Sequence, residues 1–94
     1  MKPNHTLNNL GLAFRAKKLI HGEGLVLSAL KKYPEGIVFL ANDAGDNITA
    51  KIEQKCKTFQ VSLNKDYDTE ALSKAIGKAN RKVLLLTDPG FIKK

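Results

Sequence analysis

Apolar positions recur along this 94-residue chain with helical spacing in some stretches and as short continuous runs in others. Leu7, Leu10 and Phe14 fall at i, i+3 and i+7 with Ala13 beside them, which predicts an amphipathic first helix over residues 6–18 with Thr6 as its cap. Residues 1–5, polar around Pro3, read as a loose lead-in. Residues 19–21 leave room only for a short strand or extended link. Gly22, Glu23 and Gly24 then precede Leu25, Val26, Ala29 and Leu30 at helical spacing, a glycine turn opening a second helix that Tyr33, Pro34 and Gly36 stop. Residues 37–41, IVFLA, form an apolar run between turn residues, as in a strand covered on both faces. After the loop NDAGDN, Ile48, Ile52, Cys56 and Phe59 form the buried stripe of a third helix over residues 47–58, with Lys51 and Lys55 on another face.

The remaining third repeats the alternation. Residues 60–63 alternate polar and apolar, as a shorter edge strand does, and residues 64–68 make a polar loop. Asp68 caps a fourth helix built on Leu72, Ala75, Ile76 and Ala79, with Gly77 within it or ending it. Residues 83–86, VLLL, are a second fully buried strand; Asp88 and Pro89 then predict the cap and first turn of a short final helix carrying Phe91 and Ile92. Helices and strands alternating through short connections imply an α/β fold. The expected architecture is a three-layer α/β/α sandwich around a small mixed sheet of about four strands, with right-handed crossovers. Without a repeat or a linker to divide it, the chain reads as one domain over residues 1–94.

Composition narrows the partners. Sixteen Lys and Arg against nine Asp and Glu leave a net charge of +7, which favours polyanions: RNA, DNA or anionic lipid. No apolar run approaches the roughly 18–20 residues of a membrane span, and the N-terminus has no signal-peptide core, so no membrane association and a cytoplasmic location are expected. Cys56 is the sole cysteine, which excludes an internal disulfide or a cysteine-based metal cluster and makes it a small buried hydrophobe.

Candidate chemistry concentrates in residues 21–32, HGEGLVLSALKK. A helix that starts on glycine leaves its first N–H groups unshielded, and with the helix dipole they attract anions. The stretch is not a dinucleotide fingerprint, since Leu27 stands where a third glycine is needed, and no Walker lysine follows. Lys17, Lys18, Lys31 and Lys32 suit either phosphate contact or solvated helix ends. Asp43, Asp46 and Asp88 follow buried strands, where open α/β sheets place active sites, so a metal-dependent phosphate enzyme is one reading. Capping and turn roles account for the same three residues more simply. His21 suits a phosphate contact or a packed strand end, and no grouping suggests a nucleophile.

Four segments in order, LGLAFRAKKLIHGE, IVFLANDA, LSKAIGK and VLLLTDPGF, resemble the kink-turn-binding ribosomal protein family of the L-seven-Ae and L-thirty-e type, in its small bacterial YlxQ-like branch. The resemblance spans residues 10–91 and implies a non-enzymatic protein that binds structured, sharply bent RNA, ribosomal or otherwise, with no catalytic residue, cofactor, metal or small-molecule substrate. In that family, side chains opening the second helix read guanine edges. Here Gly22 keeps the turn glycine, while Gly24, Leu25 and Ser28 occupy the positions usual for Asn, Glu and Lys. The expected RNA surface is therefore the backbone of Gly22, Glu23 and Gly24 with Ser28, flanked by Arg15, Lys17, Lys18, Lys31 and Lys32. Phosphate and shape would be recognised rather than sequence. The loop before the fourth helix adds Lys65 and Tyr67, the latter as a platform for an unpaired base. Ser73 replaces a family glycine. The rival reading is a protein-interaction module on the same scaffold, which an exposed Leu25 would mark.

Overall fold

Four consecutive apolar residues make β4 (Val83–Leu86), and all four are buried because the strand lies inside the sheet with helices over both faces. The computed structural model describes residues 5–88 and 90. On one side β4 pairs antiparallel with β1 (Leu19–His21); on the other it pairs antiparallel with β2 (Ile37–Leu40), which pairs in parallel with β3 (Ser62–Asn64). The order is β1-β4-β2-β3, a mixed four-stranded sheet. Side chains alternate across it as the pleat requires. Val38, Leu40, Val83 and Leu85 meet Val26, Ala29 and Leu30 of α2 (Glu23–Ala29) and its 3-10 continuation (Leu30–Lys32), with Ile52 and Cys56 of α3 (Asp46–Phe59). Phe39, Leu84 and Leu86 meet Leu10 and Ala13 of α1 (His5–Arg15), with Leu72 and Ile76 at α4 (Thr69–Ala75). This is the expected three-layer sandwich.

Element boundaries move where the chain reverses. α1 ends at Arg15, not residue 18, because Lys17 adopts φ 62° and Lys18 N–H reaches back to Ala13 O at 2.8 Å. Thr6 lies within the helix rather than capping it. Such a left-handed residue without glycine costs on the order of 1–2 kcal/mol, which the docking of β1 on β4 offsets. Gln60 closes α3 in the same way at φ 57°, so it belongs to the helix cap, and the edge strand begins at Ser62 rather than residue 60. α3 starts one residue early: Gly45 is its cap position, and Asp46 sits in the first turn, where its charge suits the dipole. α4 closes on Gly77 at φ 69°, with Lys78 N–H donating to Ser73 O at 3.0 Å, which leaves Ala79 exposed in the following segment instead of on the helix stripe. Asp68 caps α4 as expected, its Oδ1 accepting from Ala71 N–H at 2.8 Å. The final helix expected after Asp88 falls on residues outside those described. Cys56 is buried, and burial pushes its thiol up to about 11.

Helices α1 and α4 approach closely because Gly11 has no side chain: a Cβ there would stand 2.7 Å from Ala75 O, a backbone atom. Gly11→Ala should therefore destabilise the domain by about 1–3 kcal/mol, despite alanine's helix preference of about 1 kcal/mol. Urea denaturation checks this. An unchanged or raised midpoint would show that the two helices tolerate separation.

Candidate nucleic-acid interface

β1 ends by handing its hydrogen bonding to a glycine. Gly22 N–H donates to Val83 O at 3.0 Å, and Gly22 O accepts from Val26 N–H at 3.0 Å, so one residue closes the sheet and opens α2. Its φ of 102° with ψ 141° is a conformation that residues with a Cβ rarely adopt. No side chain caps α2, whose first amides lack helical partners. Beside them Gly24 is open, for an added Cβ would meet nothing within 4 Å. Leu25 is 66% exposed, and Ser28 continues the same solvent-facing surface. Val26, Ala29 and Leu30 turn inward and hold the helix on the sheet.

The antiparallel entry of β4 brings a second segment to this edge. Residues 76–82 leave α4 and arrive next to Gly22, carrying Lys78, Arg81 and Lys82. Arg81 Nε donates to His21 Nδ1 at 3.0 Å and its Nη1 to Ala79 O at 3.3 Å. Its backbone is held too: Arg81 N–H donates to the buried Ser73 hydroxyl at 2.7 Å, and that hydroxyl donates to Arg81 O at 3.2 Å. Lys78 Nζ lies 5.7 Å from the centre of the Phe14 ring, and Phe14 lies 5.5 Å from the His21 ring. Burial first, then Arg81 and Lys78, hold the His21 imidazole below its ordinary pKa of 6.5. None of Lys78, Arg81 and Lys82 was anticipated from sequence. The available signal was a basic pair directly before a buried strand, and its meaning depends on which way that strand runs.

The expected contacts divide between the two ends of the sheet. Gly22, Glu23, Gly24, Lys65 and Tyr67 share the edge at which β1, β2 and β3 end. Glu23 there accepts from Lys51 Nζ at 3.3 Å, and Lys65 pairs with Glu53. Tyr67 is half-buried, its ring 6.4 Å from Phe39 and packed on the α1/α4 core, so it does not stand out as the open stacking platform expected. Lys17 and Lys18 precede β1 and lie at the opposite end, where Lys18 O accepts from Thr87 N–H at 2.9 Å. Four strand steps of about 3.3 Å put Lys18 about 13 Å from Gly22. Arg15 ends α1 on that side. Lys31 and Lys32 close the far end of α2, next to the Tyr33 turn that packs Gly36 onto Leu86. The five cations therefore do not gather around Gly22.

The carboxylates separate likewise. Because β2 and β4 are antiparallel, Asp43 and Asp88 emerge at opposite edges. Asp43 Oδ1 accepts from Thr69 Oγ1 at 2.6 Å and Thr69 N–H at 2.9 Å, bonds that hold its carboxyl below the ordinary value, and Lys82 Nζ donates to the same Thr69 hydroxyl at 3.3 Å. Asp88 Oδ1 accepts from Gly90 N–H at 3.0 Å. Among the described residues no group of three or more His, Cys, Asp or Glu is placed to hold a metal ion, and no helix is long and apolar enough to cross a membrane.

Comparison with known proteins adds to this geometry. Residues 5–94 match the model of the ribosomal protein L7Ae/L30e/S12e/Gadd45 family. The chain is 38% identical over 85 residues to the RNA-binding protein YlxQ of Bacillus subtilis (strain 168), covering 90% of this chain and 85% of that protein. It is 39% identical over 88 residues to the RNA-binding protein YlxQ of Enterococcus faecium, covering 94% and 84%. A solved structure of a protein with unknown function from Bacillus halodurans C superposes with a TM-score of 0.83 at 36% identity, covering 90% of this chain and 86% of that one. The Giardia lamblia 15.5kD RNA binding protein shares the fold, with a TM-score of 0.76 at 18% identity over 89% of this chain and 72% of that one.

The depressed pKa of His21 makes stability depend on pH. The native state keeps the imidazole neutral where the unfolded chain already binds a proton, so this contribution is complete above 6.5 and is lost as pH falls from there towards the folded value. Thermal unfolding followed from about pH 7 down to about pH 5 should show falling stability across the range where histidine titrates. His21→Gln should flatten that slope. An equal slope in the variant would place the sensitivity elsewhere.

Proposed function

The chain belongs to the ribosomal protein L7Ae/L30e/S12e/Gadd45 family, and we propose that it is a non-enzymatic RNA-binding protein that recognises structured, kink-turn-like RNA, ribosomal RNA among the candidates. The observation that carries this reading is the open Gly22–Gly24 turn, with Gly22 at φ 102° and Gly24 unobstructed, set beside Arg81 and Lys78. Unshielded amides and a close-approach backbone fit a phosphate path in a bent groove, and the adjacent cations neutralise it. Gly22, Glu23, Gly24 and Ser28 contact RNA mainly through backbone and small surface atoms. Arg81, Lys78 and Lys82 supply the near charge. Arg15, Lys17, Lys18, Lys31 and Lys32, carried on elements that lead away from the Gly22 turn, act on approach or on an RNA that wraps the sheet end. Lys65 and Tyr67 mark the outer limit of the surface. Selectivity comes from RNA shape, since Gly24, Leu25 and Ser28 offer few groups that read base edges.

One observation favours a second reading. Leu25 is 66% exposed in the middle of this surface, as expected of a protein-interaction module that has lost specific RNA recognition. Titration of the purified domain with a kink-turn RNA and a straight duplex of equal length separates the two. Preference for the bent RNA supports RNA recognition, whereas equal or absent binding supports the protein partner.

If about three or four phosphates are contacted, affinity should fall roughly 40- to 150-fold between 50 and 200 mM salt, using the duplex-DNA slope of about 0.9 per phosphate. Gly24→Glu should weaken bent-RNA binding by roughly tenfold or more, through repulsion and obstruction at the turn, while leaving the melting curve intact. Normal binding by that variant would remove the RNA from this surface.

A further inference from the structure

Arg81 is held more completely than a surface cation needs to be. Its backbone N–H and C=O both engage the Ser73 hydroxyl, at 2.7 and 3.2 Å, and Ser73 is only 5% exposed. Its Nε donates to His21 Nδ1 at 3.0 Å, and Nη1 donates to Ala79 O at 3.3 Å. Nη2 has no protein partner among the described residues. A guanidinium so fixed presents a planar donor edge with little rotamer freedom left to lose, which suits bidentate contact with a phosphate or a guanine edge. Arginine cannot accept a hydrogen bond, so Nδ1 carries the lone pair, and a neutral ring has its proton on Nε2. The hold exists only while that lone pair is present.

We propose that His21 is a positioning residue for RNA binding: its neutral imidazole fixes the Arg81 guanidinium beside the Gly22 turn, and protonation releases it. The proposal rests on the RNA-binding reading above and adds the regulation of that site. Protonation at Nδ1 replaces the acceptor with a donor facing another donor and puts two cations in contact. The charged groups around the ring make this a defined event. Lys78 and Arg81 face it from the segment after α4, while α1 offers the Phe14 ring and β4 the apolar Leu84. Glu23, two residues on at the start of α2, is engaged by Lys51. Among the described residues no carboxylate is seen to act on the ring, in agreement with its lowered pKa.

The test uses the intact chain with a kink-turn RNA and a straight duplex, at about pH 7.5 and about pH 5, which bracket histidine titration. For the native protein, preference for bent over straight RNA should fall roughly tenfold on acidification, the worth of one charge-assisted hydrogen bond. His21→Gln keeps an acceptor that does not titrate and should hold its preference at both values. His21→Phe should show the reduced preference at both. In the free protein, the Arg81 Nε–H should be protected from exchange at the higher pH and lose that protection in His21→Phe, a readout independent of RNA. If His21→Phe retains the native preference and pH profile, or its Arg81 Nε–H is as protected as in the native protein, the positioning role is overturned while RNA binding stands. If the native protein shows no preference for bent RNA at the higher pH, the RNA reading fails and this proposal with it.

Discussion

The antiparallel insertion of β4 between β1 and β2 is the constraint on which the other features depend. Its four side chains are buried on both faces, so its register is set by two cores at once, and a slip of one residue would exchange them. That register sets the interface. Val83 O receives Gly22 N–H, and Lys82 O receives Ala41 N–H at 2.8 Å, so the first residue of β4 and the one before it fasten the ends of both neighbours. The glycine turn and the segment bearing Arg81 are neighbours because β4 enters the sheet where β1 leaves it.

Electrostatics follow from this geometry more than from the charge count. A net charge of +7 is compatible with any polyanion, but its distribution is not uniform in effect. Lys51 and Lys65 are engaged by Glu23 and Glu53, and Lys82 is turned towards Thr69 in the Asp43 network. Arg81 differs because its anchors are neutral: a serine hydroxyl, a backbone carbonyl and an imidazole. None of these cancels its charge. An arginine oriented by neutral partners keeps its full attraction for phosphate, whereas a lysine paired with a carboxylate gives part of it up.

The differences between pattern and structure have a common origin. Helical stripes on α1, α3 and α4 and the two apolar runs were readable because periodicity reports which side chains are buried. The ends at Lys17 and Gln60 were not, because a non-glycine residue in a left-handed conformation leaves no compositional mark and is imposed by the docking of the next strand. The grouping of Lys17, Lys18, Lys31 and Lys32 with Gly22 failed for a related reason. These residues are near Gly22 along the chain, but β1 and α2 are rigid elements that carry them to the other end of the sheet.

By itself, the sequence determined the fold class, the two-sided burial of Val83–Leu86, the helix stripes, the cap at Asp68, the burial of Cys56 and the glycine turn at Gly22, since each depends on local residue chemistry or short-range periodicity. Only the tertiary structure decided strand direction, and with it the separation of Asp43 from Asp88 and the joining of His21 to Arg81 across 60 residues. Strand direction is a property of pairing. An apolar run reads the same in either sense until its neighbours choose for it.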